Sequence, residues 1–572
     1  MFSCRDMEVE KVWLTTEAFS KMPNLRLLLI YGILSHSSVE WDHIEDQNFF
    51  FKNLVWVDWT GFPFNYIPNN FHLGNLVILD MQHSQLTEVW LETKVLPKLK
   101  VLDLSHSDYL IRTPDFSGMP NLEELRLYDC ERLRKVHESI DHLNKLVELD
   151  LGACNRLWNL PSGISKLVSL ETLDISSCSR LENLPEGIGN LRCLKILDAS
   201  GTVIEELPSS LGLLKNLTSF SYSAPIGSHC ASLGAPIIEI MKRFATHSFA
   251  TIIQPESSSL GERRRNSKLV AQLSTSLYGF CSLQHLYLGD CNLIDDDIPD
   301  DLWKLCYLKS LNLSGNYFIG LPSSVSQLSE LETLTLGSCN SLQSLPILPS
   351  SLHSLDASGC GMLERLPNLS NLRHLRKLEL LWCPKLNEIE GLDGLESVEK
   401  IDLRGRNVLE SFFSERIFQV ISKGFQNRKI CEIFLPGSVI PDWFDFRSES
   451  SSGSCQVIQL HNMKMQGLII CIVCLARERP RSHLASVELV LVVENQSKAL
   501  TWNCEGGLLD NNQDRTWTIK IPHYVWKSIA EPGDVINFSV VARHWSDQSS
   551  HEERCPLLKF GLHFFYTSHE KV

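Results

Sequence analysis

Apolar residues recur along this chain with neither the strict alternation of a lone strand nor the three-to-four spacing of a long helix. The recurring unit is L-x-x-L-x-L. It stands out as LKVLDL from Leu99, LEELRL from Leu122, LVELDL from Leu146 and LETLDI from Leu170, and again as LQHLYL from Leu283, LKSLNL from Leu308 and LETLTL from Leu331. The first apolar residues of successive copies are Leu25, Leu54, Leu76, Leu99, Leu122, Leu146, Leu170, Leu194, Leu217, Leu283, Leu308, Leu331, Leu352, Leu375 and Val398. Most intervals are 21 to 25 residues; the first is 29, and the one from Leu217 to Leu283 is 66.

A period of this size predicts an α/β leucine-rich-repeat solenoid, a horseshoe with a parallel β-sheet on its concave face. Within L-x-L the two leucines point into the core and the residue between them points outward, because strand side chains alternate. A return segment must bring the chain back for the next strand. It is written here as L-P-x-x-I-x-x-L, in LPSGISKL from Leu160, LPEGIGNL from Leu184, LPSSLGLL from Leu207 and LPSSVSQL from Leu321. Pro ends the extended run, and the apolar spacing after it predicts a short helical turn facing the core. A register check independent of leucine comes eight residues into each copy. Cys130, Cys154, Cys178, Cys291, Cys339, Cys360 and Cys383 occupy that place in seven repeats, and Ser84, Ser107, Thr202 and Asn316 in others. Seven of the 18 cysteines are thus assigned to the fold. Fifteen strands at about 4.8 Å spacing predict a concave row on the order of 65 Å long, an extended surface rather than a pocket.

The pattern divides the chain. Residues 1–22 precede the repeats, 23–220 carry a first block, 221–277 interrupt it, 278–428 carry a second block and 429–572 follow. The interruption is rich in Ser, Ala and Gly and contains Arg263, Arg264 and Arg265, a basic cluster that is either a solvated loop or a phosphate-binding or nuclear-import patch. After residue 428 the apolar period becomes two, in VIQL, SVELVLVVEN, TWTIKI, VINFSVVAR and FGLHFFY, which predicts a small all-β sandwich or jelly-roll.

At 572 residues with 43% hydrophobic and 21% charged residues, the composition is that of an ordinary folded protein. The net charge of −15 argues against bulk phosphate binding, so no nucleic-acid partner is expected. The start, MFSCRDMEVEKVW, lacks a basic segment followed by an apolar one, and the longest apolar run, GLIICIVCLA, is too short to span a bilayer. A cytoplasmic, possibly also nuclear, location with reduced cysteines is the expectation, and the sequons at Asn216, Asn312, Asn368, Asn495 and Asn537 are read as chance. No phosphate loop, H-E-x-x-H or G-x-S-x-G occurs. Cys471 and Cys474 form one C-x-x-C in an apolar strand-like run without a second pair to complete a zinc set. Neither an enzyme nor a cofactor is expected.

One surface feature remains. The outward residue of L-x-L is acidic in many copies: Asp58, Asp80, Asp103, Asp150, Asp174, Asp198, Asp356 and Asp402, with Glu379; Arg126 interrupts the series. Either L-D-L is simply a frequent repeat wording with solvated aspartates, or the row is an acidic stripe that steers a basic partner.

The segments EAFSKMPNLRLLLI from Glu17, LIRTPDFSGMPNLEELRLYDC from Leu110 and LPSSVSQLSELETLTLGSCNSLQSLPILPSSLHSLDASGC from Leu321 resemble the repeat region of plant intracellular immune receptors. The subclass is the TIR-NBS-LRR one, which joins a Toll/interleukin-1-receptor domain and a nucleotide-binding domain to leucine-rich repeats. FLPGSVIPDWF, from Phe434, resembles the opening of that family's C-terminal jelly-roll and immunoglobulin-like domain, C-JID. The first two modules have no counterpart here, so their chemistry is not expected of this chain. The resemblance implies a sensor region that recognises pathogen effectors, restrains a receptor's nucleotide-binding module, and contributes to defence signalling. It also implies that Pro441, Asp442, Trp443 and Phe444 lie near an effector surface, although Trp443 and Phe444 equally suit packing against the last repeats. A non-signalling scaffold or decoy acting only by protein–protein binding is the alternative.

Overall fold

The structure is a computed structural model. It describes residues 2–4, 22, 24–30, 53–68, 71–223, 277, 279–298, 300–405, 431–436, 440, 444–450, 454–459, 465–474, 487–509, 515–530, 534–546, 549–554 and 558–566. The chain divides into two compact units, Met1–Asn312 and Leu313–Val572.

In the first unit every expected repeat start is followed, two residues later, by a short strand. Leu27–Ile30, Trp56–Trp59, Ile78–Asp80, Val101–Asp103 and Glu124–Arg126 lead on to Glu148–Asp150, Thr172–Asp174, Ile196–Ala199, Ser219–Tyr222, His285–Tyr287 and Ser310–Asn312. All pair in parallel and in register, so that repeat positions face each other: Asp58 with Asp80, Asp80 with Asp103, Asp150 with Asp174, Asp174 with Asp198. A further strand, Phe2–Cys4, pairs with Leu27–Ile30 from the stretch assigned by pattern to the junction. The long interval closes directly: Ser219, Phe220 and Ser221 are partners of His285, Leu286 and Tyr287. The sheet skips no strand where the sequence inserts some forty extra residues, which is why the repeat survives the interruption.

The return segments are tight 3₁₀ turns. Ser162–Lys166, Glu186–Asn190 and Ser209–Leu213 in the first unit, and Ser323–Gln327 in the second, each follow the Pro of L-P-x-x-I. That Pro has extended backbone, and its carbonyl accepts the N–H of the buried Ile164, Ile188, Leu211 or Val325. Pro lacks an N–H but keeps its carbonyl, so it closes the strand side and opens the turn.

The cysteine column behaves as a set of hydrogen-bond donors. Cys130, Cys154, Cys178, Cys339, Cys360 and Cys383 each place Sγ 3.1–3.3 Å from a backbone carbonyl of the preceding repeat. Cys291 does the same at 3.5 Å toward Tyr222. All seven are buried free thiols. Burial raises the thiols of Cys130 and Cys178, which keeps them protonated and donating.

In the second unit, Thr333–Thr335, Ser354–Asp356, Lys377–Glu379 and Lys400–Asp402 continue the repeat. Cys431–Pro436 then pairs in parallel with Lys400–Asp402 on one edge and antiparallel with Arg515–Pro522 on the other. Met465–Cys474, Arg515–Pro522, Leu558–Tyr566 and Phe446–Ser450 extend this antiparallel sheet. A second antiparallel sheet holds Ser454–Gln459, Val487–Asn495, Leu500–Leu509, Val535–Ser546 and Ser549–Arg554. One apolar cluster draws from both sheets, with Leu468, Ile470, Trp517 and Ile519 from the first and Leu491, Val493, Ile536 and Phe538 from the second. Trp526 and Ile529 of the helix His523–Ile529 complete it. Asn495, one of the sequon residues, is buried and bonds the Ile529 carbonyl and Asp534 Oδ2, both at 2.7 Å, so its side chain already serves the fold. Cys471 is buried within its strand. No described helix is long and apolar enough to cross a membrane.

Candidate functional site

The acidic residues do line up on the outward sheet face, but they are not freely solvated. Asp103, Asp174, Asp198 and Asp402 are 6%, 4%, 2% and 3% exposed, while Asp80, Asp150, Asp356 and Glu379 are half-buried. The cause is the spacing itself: carboxylates on neighbouring parallel strands shield one another, and each folds back onto its own chain. Oδ1 of Asp103, Asp150, Asp174, Asp198 and Asp356 accepts the backbone N–H two residues on, from Ser105, Gly152, Ser176, Ser200 and Ser358, at 2.8–2.9 Å. Asp80 and Asp402 accept from Gln82 and Arg404 at 3.3 Å. One residue further the backbone turns left-handed, at His83, His106, Ala153, Ser177, Gly201, Gly359 and Gly405. Where it is present the aspartate thus braces the end of its strand with an Asx-type turn; the same left-handed step follows Arg126, Tyr287, Thr335 and Glu379, at Asp129, Asp290, Ser338 and Trp382, without one.

Crowding changes the charge of the row. Burial, and then Asp174, push Asp150 up to about 7. Burial raises Asp174 and Asp198 as well, and Asp198 also feels Asp174. Asp80 is pushed up to about 6 by burial and then by Asp103 and Asp58, and burial raises Asp356. Near neutral pH part of the row holds protons, which blunts its field. Arg126 sits between Asp103 and Asp150, where it bridges Glu148 at 2.9 Å and Glu124 at 2.8 Å. In the second unit, Glu379 accepts from Lys400 at 2.6 Å, and Asp402 pairs with Arg404 at 2.9 Å. The Arg404 guanidinium lies 4.8 Å over the Phe434 ring.

Phe444 is 4% exposed and packs with Ile440 over Gly561, where an added Cβ would meet both side chains within 3 Å. It stands in the interior of its domain. Pro441, Asp442 and Trp443 lie outside the described residues, as do Arg263, Arg264 and Arg265. Among the described residues no group of His, Cys, Asp and Glu is arranged to hold a metal ion.

A second surface was missed by the strand-centred reading. After the Cys/Ser position, four successive repeats of the first unit expose two residues, bury a leucine and expose two more: 108–112, 131–135, 155–159 and 179–183. These segments carry Arg112, Arg132, Arg134, Lys135, Arg156 and Arg180 against Asp108, Glu131 and Glu182. They also hold Tyr109, Ile111 and Trp158, exposed at 46%, 45% and 57%. The one sequence signal was the wording C-x-R-L, at Cys130, Cys154 and Cys178.

A family model described as "Disease resistance protein RPS4B-like, leucine-rich repeats" matches residues 166–351, and a general leucine-rich-repeat model matches 75–94. TMV resistance protein N of Nicotiana glutinosa is 33% identical over 370 residues, 56% of this chain and 31% of that protein. Disease resistance-like protein DSC1 of Arabidopsis thaliana is 34% identical over 352 residues, 55% of this chain and 28% of that protein. The chain thus spans less than a third of the length of these two relatives. Among solved structures, the leucine-rich-repeat protein LIC12759 of Leptospira interrogans aligns with a TM-score of 0.43 at 22% identity, covering 67% of this chain and 90% of that one. With parallel strands in register within each unit and sequence likeness across more than half its length, this chain carries leucine-rich repeats similar to those of plant disease-resistance proteins.

Proposed function

We propose that this chain is the sensing region of a plant innate immune receptor: it recognises a pathogen effector protein and contributes to defence signalling. It acts by binding, not by catalysis, and works in the cytoplasm. The observation that carries the proposal is the likeness of its repeats to those of disease-resistance proteins. The geometry supports it, because an in-register sheet presents side chains from many repeats on one face without enclosing a pocket. The two-sheet region after residue 431 is read as the C-JID part of the same sensor, and a receptor's nucleotide-binding module as its second partner. The acidic row is kept as a contact surface only for its half-exposed members, since the buried ones serve the turns.

Purified full-length chain is to be tested by interferometry against a panel of effector proteins from plant pathogens. Saturable binding to a member of the panel is expected, weakened by Trp56→Ala or Glu124→Lys on the outward sheet face. Failure to bind any member, or binding indifferent to every outward-face substitution, counts against the reading.

A further inference from the structure

We propose that the flank built from residues 108–112, 131–135, 155–159 and 179–183 is a docking surface for an acidic segment of a protein partner. This rests on the protein-binding reading above and gives that binding a place and a chemistry.

The repeat aligns these segments into columns. Tyr109, Arg132, Arg156 and Arg180 occupy one position in consecutive repeats, and Ile111, Arg134, Trp158 and Glu182 another. Backbone and side-chain contacts confirm that the columns are side by side. Arg134 N–H donates to the Ile111 carbonyl at 2.9 Å, Arg112 and Lys135 form a parallel bridge, and Ser179 Oγ reaches Asn155 Oδ1 at 3.3 Å. The Arg132 guanidinium lies 4.9 Å from the centre of the Tyr109 ring. The surface is therefore an interleaved sheet of guanidinium groups and large apolar side chains.

Three features give it a partner. First, six cations face three anions here, in a protein whose net charge is −15; positive charge is concentrated against the trend of the whole. Second, Arg134, Arg156 and Arg180 form no ion pair among the described residues, whereas Arg112 is held by Glu88 at 2.7 Å. Guanidinium forks left open to solvent fit carboxylates in bidentate geometry. Third, exposed Tyr, Trp and Arg in one patch is the composition of protein-interface hot spots. Nucleic acid would also meet arginines and aromatic rings, but the overall negative charge repels a polyphosphate and leaves an acidic peptide segment, with local charge only, as the occupant.

The test uses the full chain and three fluorescent probes: a short peptide alternating Glu with Leu, the same peptide with Lys for Glu, and a single-stranded oligothymidylate of equal length. Anisotropy titrations are expected to show the Glu peptide bound about tenfold or more tightly than the Lys peptide, with the preference fading as salt rises. The triple reversal Arg132→Glu, Arg156→Glu, Arg180→Glu is expected to remove that preference. The reversal Lys98→Glu, Lys145→Glu, Lys195→Glu, equal in charge but on other surfaces, should keep it. No preference for the Glu peptide, a preference that survives the arginine reversal, or tighter binding of oligothymidylate each overturns the proposal. Should the triple variant fail to fold, Arg156→Gln and Trp158→Ala decide, with unchanged Glu-peptide affinity in both overturning it. An effector that binds the chain while the Glu peptide does not sinks this proposal and leaves the broader function standing.

Discussion

Three residues past the outward residue of L-x-L the backbone enters the left-handed region, with or without an aspartate at that outward place, and the sequence meets that demand unevenly. Glycine supplies it at Gly201 and Gly359, with φ of 70° and 74°, whereas Ala153, Ser177 and Trp382 hold φ of 57° with a Cβ in place. Ala153→Gly is expected to stabilise the protein by about 0.5–1 kcal/mol, read as a higher urea midpoint. A lower midpoint would show that the Cβ is not strained there. Glycine at this place in only some repeats is also why the turn was hidden: His, Asp, Ala, Ser and Trp write it elsewhere. Cysteine was more legible, because a small apolar-tolerant residue at a fixed offset has few explanations in a solenoid. Chemistry on the native protein can check the assignment. Cys193, Cys281 and Cys306 are exposed and should react with maleimide within minutes, while the seven column cysteines stay unmodified until denaturant is added. Rapid labelling of Cys154 or Cys178 in the native state would contradict the buried donor role.

At the scale of the element, the aspartate ladder couples strand ends to pH. A carboxyl whose folded pKa lies above its unfolded value favours folding when protonated. As pH rises from the ordinary carboxylate range, the unfolded chain loses its proton first and stability falls; the fall ends above the folded value. For Asp150 that window runs from about 4 to about 7. The urea midpoint is accordingly expected to be lower at pH 8 than at pH 5 in this respect, and Asp150→Asn, which keeps an oxygen for the Gly152 N–H, should flatten the profile. A profile unchanged by Asp150→Asn would remove the carboxyl from the ladder's pH response. The pattern L-D-L showed which way these side chains point. It could not show their burial, which depends on how closely strands from different repeats stack. The flank arginines were invisible for a related reason: they are 24 residues apart in sequence and become neighbours only through the register.

At the scale of the whole molecule, the leucine period carried the spacing of the repeat strands, and the structure has one at each start. The pattern could not reveal how the ends are managed. Phe2–Cys4 adds a strand before the first recognisable repeat, carrying none of its leucines. Register also tells how the 66-residue interval is tolerated. Because Ser219–Ser221 pairs directly with His285–Tyr287, a chain lacking residues 226–274, bridged by a short Gly-Ser link, should unfold cooperatively with stability within about 1 kcal/mol of the parent. Loss of the cooperative transition would mean that the interval contributes to the core.

The strand Cys431–Pro436 has one parallel and one antiparallel neighbour, and this has a consequence for solubility. A parallel array offers an open row of N–H and C=O groups wherever its last strand is bare, and a second copy of the same array is a well-matched template for it. Reversing strand direction at the boundary leaves no such row beyond Lys400–Asp402. A truncation ending near Gly405 would expose it, and such a truncated chain is expected to aggregate at concentrations where the full chain stays in solution.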